Sequence, residues 1–281
     1  MAFTFFTLGG RQLWEDVFFS QKWRIQRNCI TKRYRLLDSW DIRRAAGSFE
    51  DCHHAFVRCG KIFQLPPSRE KAVIMLHGLG GNKNQFNQMA KMIESITAVP
   101  IAINYPSTRK DIDAHLRQID FLLNNLEGIK EISFISDGIG GLLVRKLLSA
   151  DSPWQKKIKI SRVIQINPPN RGYRLWERLA DSKIATAILG PMIKLGDSHR
   201  AAKFSRFPEK IEFGIINTHN RIGSLIRRIL PKSWEQLLPQ IGDSFLPGAK
   251  DITDIKIWRI NSAADQHTIR CCKNFLRNGK F

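Results

Sequence analysis

The chain of 281 residues contains no stretch that approaches ~18 consecutive apolar residues, so the sequence offers no bilayer-spanning helix. Its first ten residues, Met-Ala-Phe-Thr-Phe-Phe-Thr-Leu-Gly-Gly, lack the basic start and long apolar region of a secretory signal. Acidic residues are scarce: 25 Asp and Glu stand against 45 Lys and Arg, a net charge of +20. Yet no run of five or six basic residues occurs, and the excess is spread through segments such as Trp154-Gln-Lys-Lys-Ile-Lys-Ile-Ser-Arg162. That pattern describes a solvated basic surface, or one attracted to an anionic membrane. Nucleic acid is not the expected partner, because charge alone would favour it. Cysteines at 29, 52, 59, 271 and 272 form no pairs with metal-ligand spacing, and Cys52-His53-His54 falls short of the two spaced pairs a structural zinc takes. No metal or other cofactor is implied. Scattered free thiols suit a reducing compartment, so the expected location is cytoplasmic, either free or peripheral at the inner membrane face.

What is present divides at Pro66-Pro67. Residues 1–67 mix aromatic and basic side chains without clear alternation and are expected to form a mainly helical extension packed on the domain that follows. Within it, Trp14, Val17, Phe18, Gln21 and Ile25 recur at helical spacing beside Trp23, Arg24 and Arg27. Such an amphipathic helix either packs on the core or lies on an anionic membrane.

Residues 68–281 alternate strand and helix, which implies βαβ units and a mostly parallel α/β sheet with helices on both faces. Strands are predicted at Lys71–Leu76, Val99–Asn104, Glu131–Ile135, Lys159–Ile166, Ile211–Ile216 and Asp254–Ile260. Helices are predicted from about Asn82 or Asn84 to Ser95, over 111–126, over 139–148 and over 265–277. Residues 171–230 read as a helical cap or lid region laid over the sheet edge.

Two glycine turns stand out. His77-Gly78-Leu79-Gly-Gly81 follows the first of these strands. Phe134-Ile-Ser-Asp-Gly-Ile-Gly-Gly-Leu-Leu-Val-Arg145 is a strand entering a sharp turn from which a helix departs. Its small flanking residues are Ser136 and Gly140, and its centre is Gly138. This is the shape of a nucleophile elbow whose central serine has been replaced by glycine. The centre of such a turn is strained by about 1–3 kcal/mol for a residue with a side chain, and glycine relieves much of that.

On these two turns, with Asn104-Tyr-Pro-Ser-Thr-Arg109, Asn167-Pro-Pro-Asn170 and the closing Phe275-Leu-Arg-Asn-Gly-Lys-Phe281, the chain resembles the α/β-hydrolase superfamily. It is most similar to bacterial lipase- or esterase-like members. The resemblance covers about 70–281. It implies that His77-Gly78-Leu79 supplies one backbone N–H of an oxyanion hole, from Leu79, and that Ile139 supplies the second. It also implies a histidine after the last strand, where Asn261-Ser-Ala-Ala-Asp265 stands instead. The acid position offers only Glu235 or, farther on, Asp243.

Substitutes for the lost groups are few. Ser136 lies two residues before the centre, which withdraws its hydroxyl by roughly 6.5–7 Å along a strand. Asp137 precedes the centre and carries a carboxylate that could act as nucleophile. His267 falls in the first turn of the closing helix, and His219 in a loop after the strand ending at Ile216. Two functions follow. One is a non-catalytic protein that binds a lipid or acyl ligand, or a partner, in the old pocket. The other is an active carboxylic-ester hydrolase with a rewired site using Ser136 or Asp137. Oligomeric state is not set by these features.

Overall fold

Strands of five to nine residues, rich in isoleucine and valine, build the centre of the molecule. A computed structural model describes residues 10–65, 69–220, 241–257 and 261–281. In it β5 (Lys71–Leu76), β6 (Val99–Ile103), β7 (Glu131–Asp137), β8 (Lys159–Ile166), β9 (Glu212–Asn220) and β10 (Asp251–Ile257) form a parallel sheet in the order β10-β9-β8-β7-β5-β6. One face is covered by α3 (Ile112–Asn124) and α4 (Gly140–Ser149), which bury Ile119, Leu122, Leu142 and Leu143 beneath β5 and β7. The other is covered by α2 (Asn87–Ser95) and the closing helix α9 (Gln266–Asn278), packed around Met89, Ile93, Ile164 and Phe275. Several strand ends depart from expectation: β6 stops one residue early at Ile103, β7 runs two residues on to Asp137, β9 spans Glu212–Asn220, so His219 lies in a strand rather than a loop, and β10 begins three residues early at Asp251.

The amino-terminal region overturns its expectation. It is not mainly helical: β1 (Trp14–Ser20), β2 (Trp23–Asn28), β3 (Tyr34–Leu37) and β4 (Arg43–Gly47) make an antiparallel four-stranded sheet, followed by one helix, α1 (Phe49–Ile62). The proposed helix through Trp14, Phe18 and Ile25 is a hairpin. Gln21 and Lys22 both have positive φ, 50° and 71°, and form its two-residue turn with Ser20 facing Trp23. Val17, Phe18 and Ile25 are buried against Cys52 and Ala55 of α1, so they present no face to a membrane.

This sheet is bonded into the domain. Asp16 accepts from Arg24 at 3.0 Å, from Gln26 at 2.7 Å and from the Asn104 backbone N–H at 2.7 Å. Gln118 of α3 donates to the Asp16 carbonyl, and Lys110 pairs with buried Glu15 at 2.5 Å.

Helix α5 (Pro153–Lys157) precedes β8, and in the segment expected to form the cap α6 (Arg174–Ala180), α7 (Lys183–Leu189) and α8 (Ser198–Ala202) follow it. Buried Arg145 of α4 donates to the carbonyls of Phe204, Ser205 and Asn170 and so fastens the segment after β8 to α4. Gly190, at φ 86°, lies so close to Thr108 that a Cβ there would stand 2.3 Å from its carbonyl oxygen.

Candidate active site

The carboxyl ends of β5, β7, β8 and β9 converge on the turn at Gly138. In a parallel sheet this edge is where ligands bind, because helix amino termini and loops meet there. Gly138 has φ 51° and donates its N–H to the Ile166 carbonyl at 2.8 Å, which turns the chain sharply out of β7. The glycine is there for its backbone, not for lack of space: a Cβ at 138 would meet only the Gly78 Cα, at 3.8 Å. Gly140 is the opposite case. A Cβ there would lie 2.7 Å from the Leu76 carbonyl oxygen and 2.9 Å from that of His77, so only glycine lets α4 start this close to β5.

Among the described residues, the N–H groups of Leu79 and Ile139 donate to no protein acceptor. They flank the turn, and Ile139 opens α4, whose dipole adds positive potential there. The His77–Gly81 loop is held from several sides. The Gly80 N–H donates to Ser107 Oγ at 3.0 Å, and Gln12 Nε2 donates to the Gly81 carbonyl at 2.7 Å. Gln12 Oε1 in turn accepts from the Thr108 N–H at 3.2 Å. This clamp comes from the segment before β1 and carried no recognisable sequence signal.

His77 is fully buried and stacked on Tyr105, with ring centroids 4.0 Å apart and 7° between planes. Its Nδ1 is 2.8 Å from the Gly78 carbonyl, which can only accept, so Nδ1 carries the proton and Nε2 faces the Tyr105 N–H. Burial pushes its pKa down to about 4, against the pull of those two backbone partners, and the ring stays neutral. The Tyr105 hydroxyl donates to the His77 carbonyl. His77 is therefore a structural post of the turn with both nitrogens engaged.

Asp137, the last residue of β7, accepts from Gln85 Nε2 at 3.1 Å, and burial pushes its pKa up to about 6. Asn261 donates to the Gln85 carbonyl, so the loop after β10 reaches the same corner. Ser136 is fully buried, and its hydroxyl donates to the Ile164 carbonyl at 3.3 Å, inside the sheet rather than at its edge. His267 is exposed in the first turn of α9, where its N–H donates to the capping Asp265 side chain. His219 had no visible partner in the sequence; its Nε2 stands 3.2 Å from Asp254 Oδ1, on the exposed pair β9–β10. The Asp243 carbonyl accepts from the Arg171 N–H, and Glu235 lies outside the described residues.

The ends of β8 and β9 and the loop after β10 carry an uncharged network. Asn167, at φ 47°, donates to Thr218 Oγ1 at 2.8 Å and to Ser262 Oγ at 3.2 Å. Thr218 Oγ1 and Ser262 Oγ are 2.8 Å apart, and the Thr218 N–H donates to Asn167 Oδ1 at 2.7 Å. Tyr173 of the cap closes the group by donating to the Asn167 carbonyl at 2.9 Å. These residues come from three distant segments of ordinary polar composition, and only Asn167 belonged to a turn that the sequence marked. The network can hold a ligand's polar group, but it contains no base.

No family model and no curated protein matches the sequence of this chain. Solved structures do. A mature lipase of Bacillus licheniformis, BlEst2, is 17% identical with a TM-score of 0.53 over 77% of this chain and 94% of its own. A metagenomic carboxyl esterase, MGS0156, is 14% identical with a TM-score of 0.51 over 67% of this chain and 64% of its own. A Listeria innocua protein, the product of gene lin2722, is 12% identical with a TM-score of 0.50 over 75% of this chain and 96% of its own. With the strand order and the turn at Gly138, these likenesses show that the chain has the α/β-hydrolase fold.

Proposed function

We propose that this protein binds a lipid or acyl group at the Gly138 turn without cleaving it. The observation that carries the reading is the pairing of a side-chain-free turn centre with the unengaged N–H groups of Leu79 and Ile139. Those donors suit a carbonyl or carboxylate oxygen, and hydrogen bonds to such groups are worth more in a site shielded from water. A glycine at the centre removes the atom that would attack the ligand. The Asn167–Thr218–Ser262 network offers hydroxyl and amide contacts in place of a proton-transferring pair. Lipase- and esterase-type structural neighbours support a ligand of the ester or acyl class.

Hydrolysis of short- and long-chain p-nitrophenyl esters tests this. The wild-type protein is expected to show no turnover above background. Gly138→Ser combined with Ser262→His puts a hydroxyl and an imidazole on positions that have space or already face the site, and is expected to give measurable turnover. Native mass spectrometry of the purified wild-type protein is expected to find a retained acyl or lipid mass. Clear wild-type hydrolysis would sink the non-catalytic reading. The alternative, an active hydrolase with Asp137 as its carboxylate, draws support from the raised pKa of that group. In that case turnover disappears in Asp137→Asn.

A further inference from the structure

The β3–β4 turn displays a tryptophan on a fixed frame. Trp40 is 77% exposed and Ile42 is 52% exposed, although the backbone beneath them is tightly held. The buried Asp38 carboxylate accepts from the N–H groups of Trp40 and Ile42, each at 2.9 Å, and from Arg44 at 2.7 Å. Those contacts hold the Asp38 carboxyl below the usual carboxylate range even though burial opposes them. The Arg44 guanidinium then lies 6.0 Å from the ring of Phe63, itself 53% exposed at the end of α1. Trp40, Ile42 and Phe63 thus stand out around one ordered turn, at a place where a folded protein gains nothing by exposing them.

The charges around the turn have one sign left over. Asp38 is paired with Arg44, and Asp41 with Lys83 at 2.5 Å and Arg24 at 3.8 Å. Exposed Arg43 and Lys61 have no ion-pair partner among the described residues. An exposed tryptophan and two other apolar side chains, with Arg43 next to Ile42 and Lys61 two residues before Phe63 in the chain, fit the boundary of an anionic bilayer: the apolar groups enter the acyl edge, and the cations meet lipid phosphates. The net charge of +20 draws the whole molecule to the same surface. Position adds to this. Lys83 lies just after the His77–Gly81 turn, so its pair with Asp41 fastens the display to the loop that borders Gly138.

We infer that the Trp40–Ile42–Phe63 surface docks this protein on anionic membranes beside the mouth of the candidate site. Docking needs no ligand at Gly138, and it replaces the amphipathic amino-terminal helix that the sequence suggested.

Co-sedimentation of the full chain with phosphatidylcholine vesicles, alone or containing about a third phosphatidylglycerol, tests the inference. Binding is expected to the anionic vesicles, to weaken with salt, and to be slight on the neutral ones. Trp40→Ser and Arg43→Glu, both fully surface changes, are each expected to weaken binding about tenfold. Phe121→Ser, an exposed site on α3, serves as the control and is expected to bind as wild type. Trp40 fluorescence, taken as wild type minus Trp40→Phe, is expected to shift blue and to be quenched by brominated lipid. No partition of folded wild-type protein onto anionic vesicles would overturn the inference, as would equal binding by Trp40→Ser and Arg43→Glu. A retained lipid in vesicle-free protein reports separately on the Gly138 site.

Discussion

Half-buried Asp137 and the fully buried rings of His77 and of His115 on α3 titrate in opposed senses. Asp137, raised from 3.8 to about 6 by burial, keeps its proton in the folded protein after the unfolded chain has released it. Its contribution to stability is therefore complete below about pH 4 and is lost as pH rises through 6. His77 and His115 run the other way, pushed down by burial to about 4 and about 3, with Lys110 and His77 adding to the effect on His115. Their contribution is complete above about pH 6.5 and is lost as pH falls. Wild-type stability is expected to rise between pH 4 and 6.5, with a slope blunted by Asp137. Asp137→Asn removes the blunting. Urea denaturation at several pH values should show the variant near wild type at pH 4 and up to about 3 kcal/mol more stable at pH 7.

The turn at Gly138 and Gly140 was legible, because one glycine is required by its positive φ and the other by the close approach of α4 to β5, and glycine marks both. The Asn167–Thr218–Ser262 contacts were silent. Threonine and serine look alike whether they face solvent or one another, and their meeting depends on strands ~50 residues apart becoming neighbours.

Secondary elements show the same contrast. Lys71–Leu76 and Lys159–Ile166 coincide end to end with β5 and β8: the first is apolar from Ala72 to Leu76, and the second carries Ile160, Val163, Ile164 and Ile166 up to the Asn167-Pro-Pro turn. The β1–β2 hairpin was misread as a helix for a physical reason. Its two-residue turn is Gln21-Lys22, side chains that do not favour positive φ, so no Asn-Gly or Asp-Gly mark separated the strands. Without that break, Trp14, Phe18 and Ile25 fell into a helical period. The double change Gln21→Asn with Lys22→Gly supplies the missing turn chemistry. It is expected to raise stability by about 0.5–1 kcal/mol in thermal melts. The Lys22–Glu94 pair it deletes is largely exposed and offsets little of this.

Across the molecule, the two sheets are joined by polar contacts that a fold made only of apolar cores would not need. Asp16 alone serves Arg24, Gln26 and the Asn104 backbone, and all of its surroundings are buried. Asp16→Ala takes from Arg24 its principal partner and from the Asn104 N–H the carboxylate it donates to, a loss on the order of 3–5 kcal/mol. Because the bonds bridge both sheets, differential scanning calorimetry of the wild type is expected to give one transition. The Asp16→Ala variant is expected to separate an earlier melting of the amino-terminal sheet from that of the domain.

Gly190 and Gln12 lie far apart in the chain yet press on the same residue. Gly190 leaves no room for a methyl group beside the Thr108 carbonyl, while the amide of Thr108 is gripped by Gln12. Bulk added at 190 would push Thr108 and so loosen the hand that Gln12 lays on the Gly81 carbonyl. The cap and the amino-terminal sheet therefore cannot drift independently. In related chains, a side chain at 190 should arrive together with altered partners at 108 and 12, leaving a record of covariation that runs through Thr108.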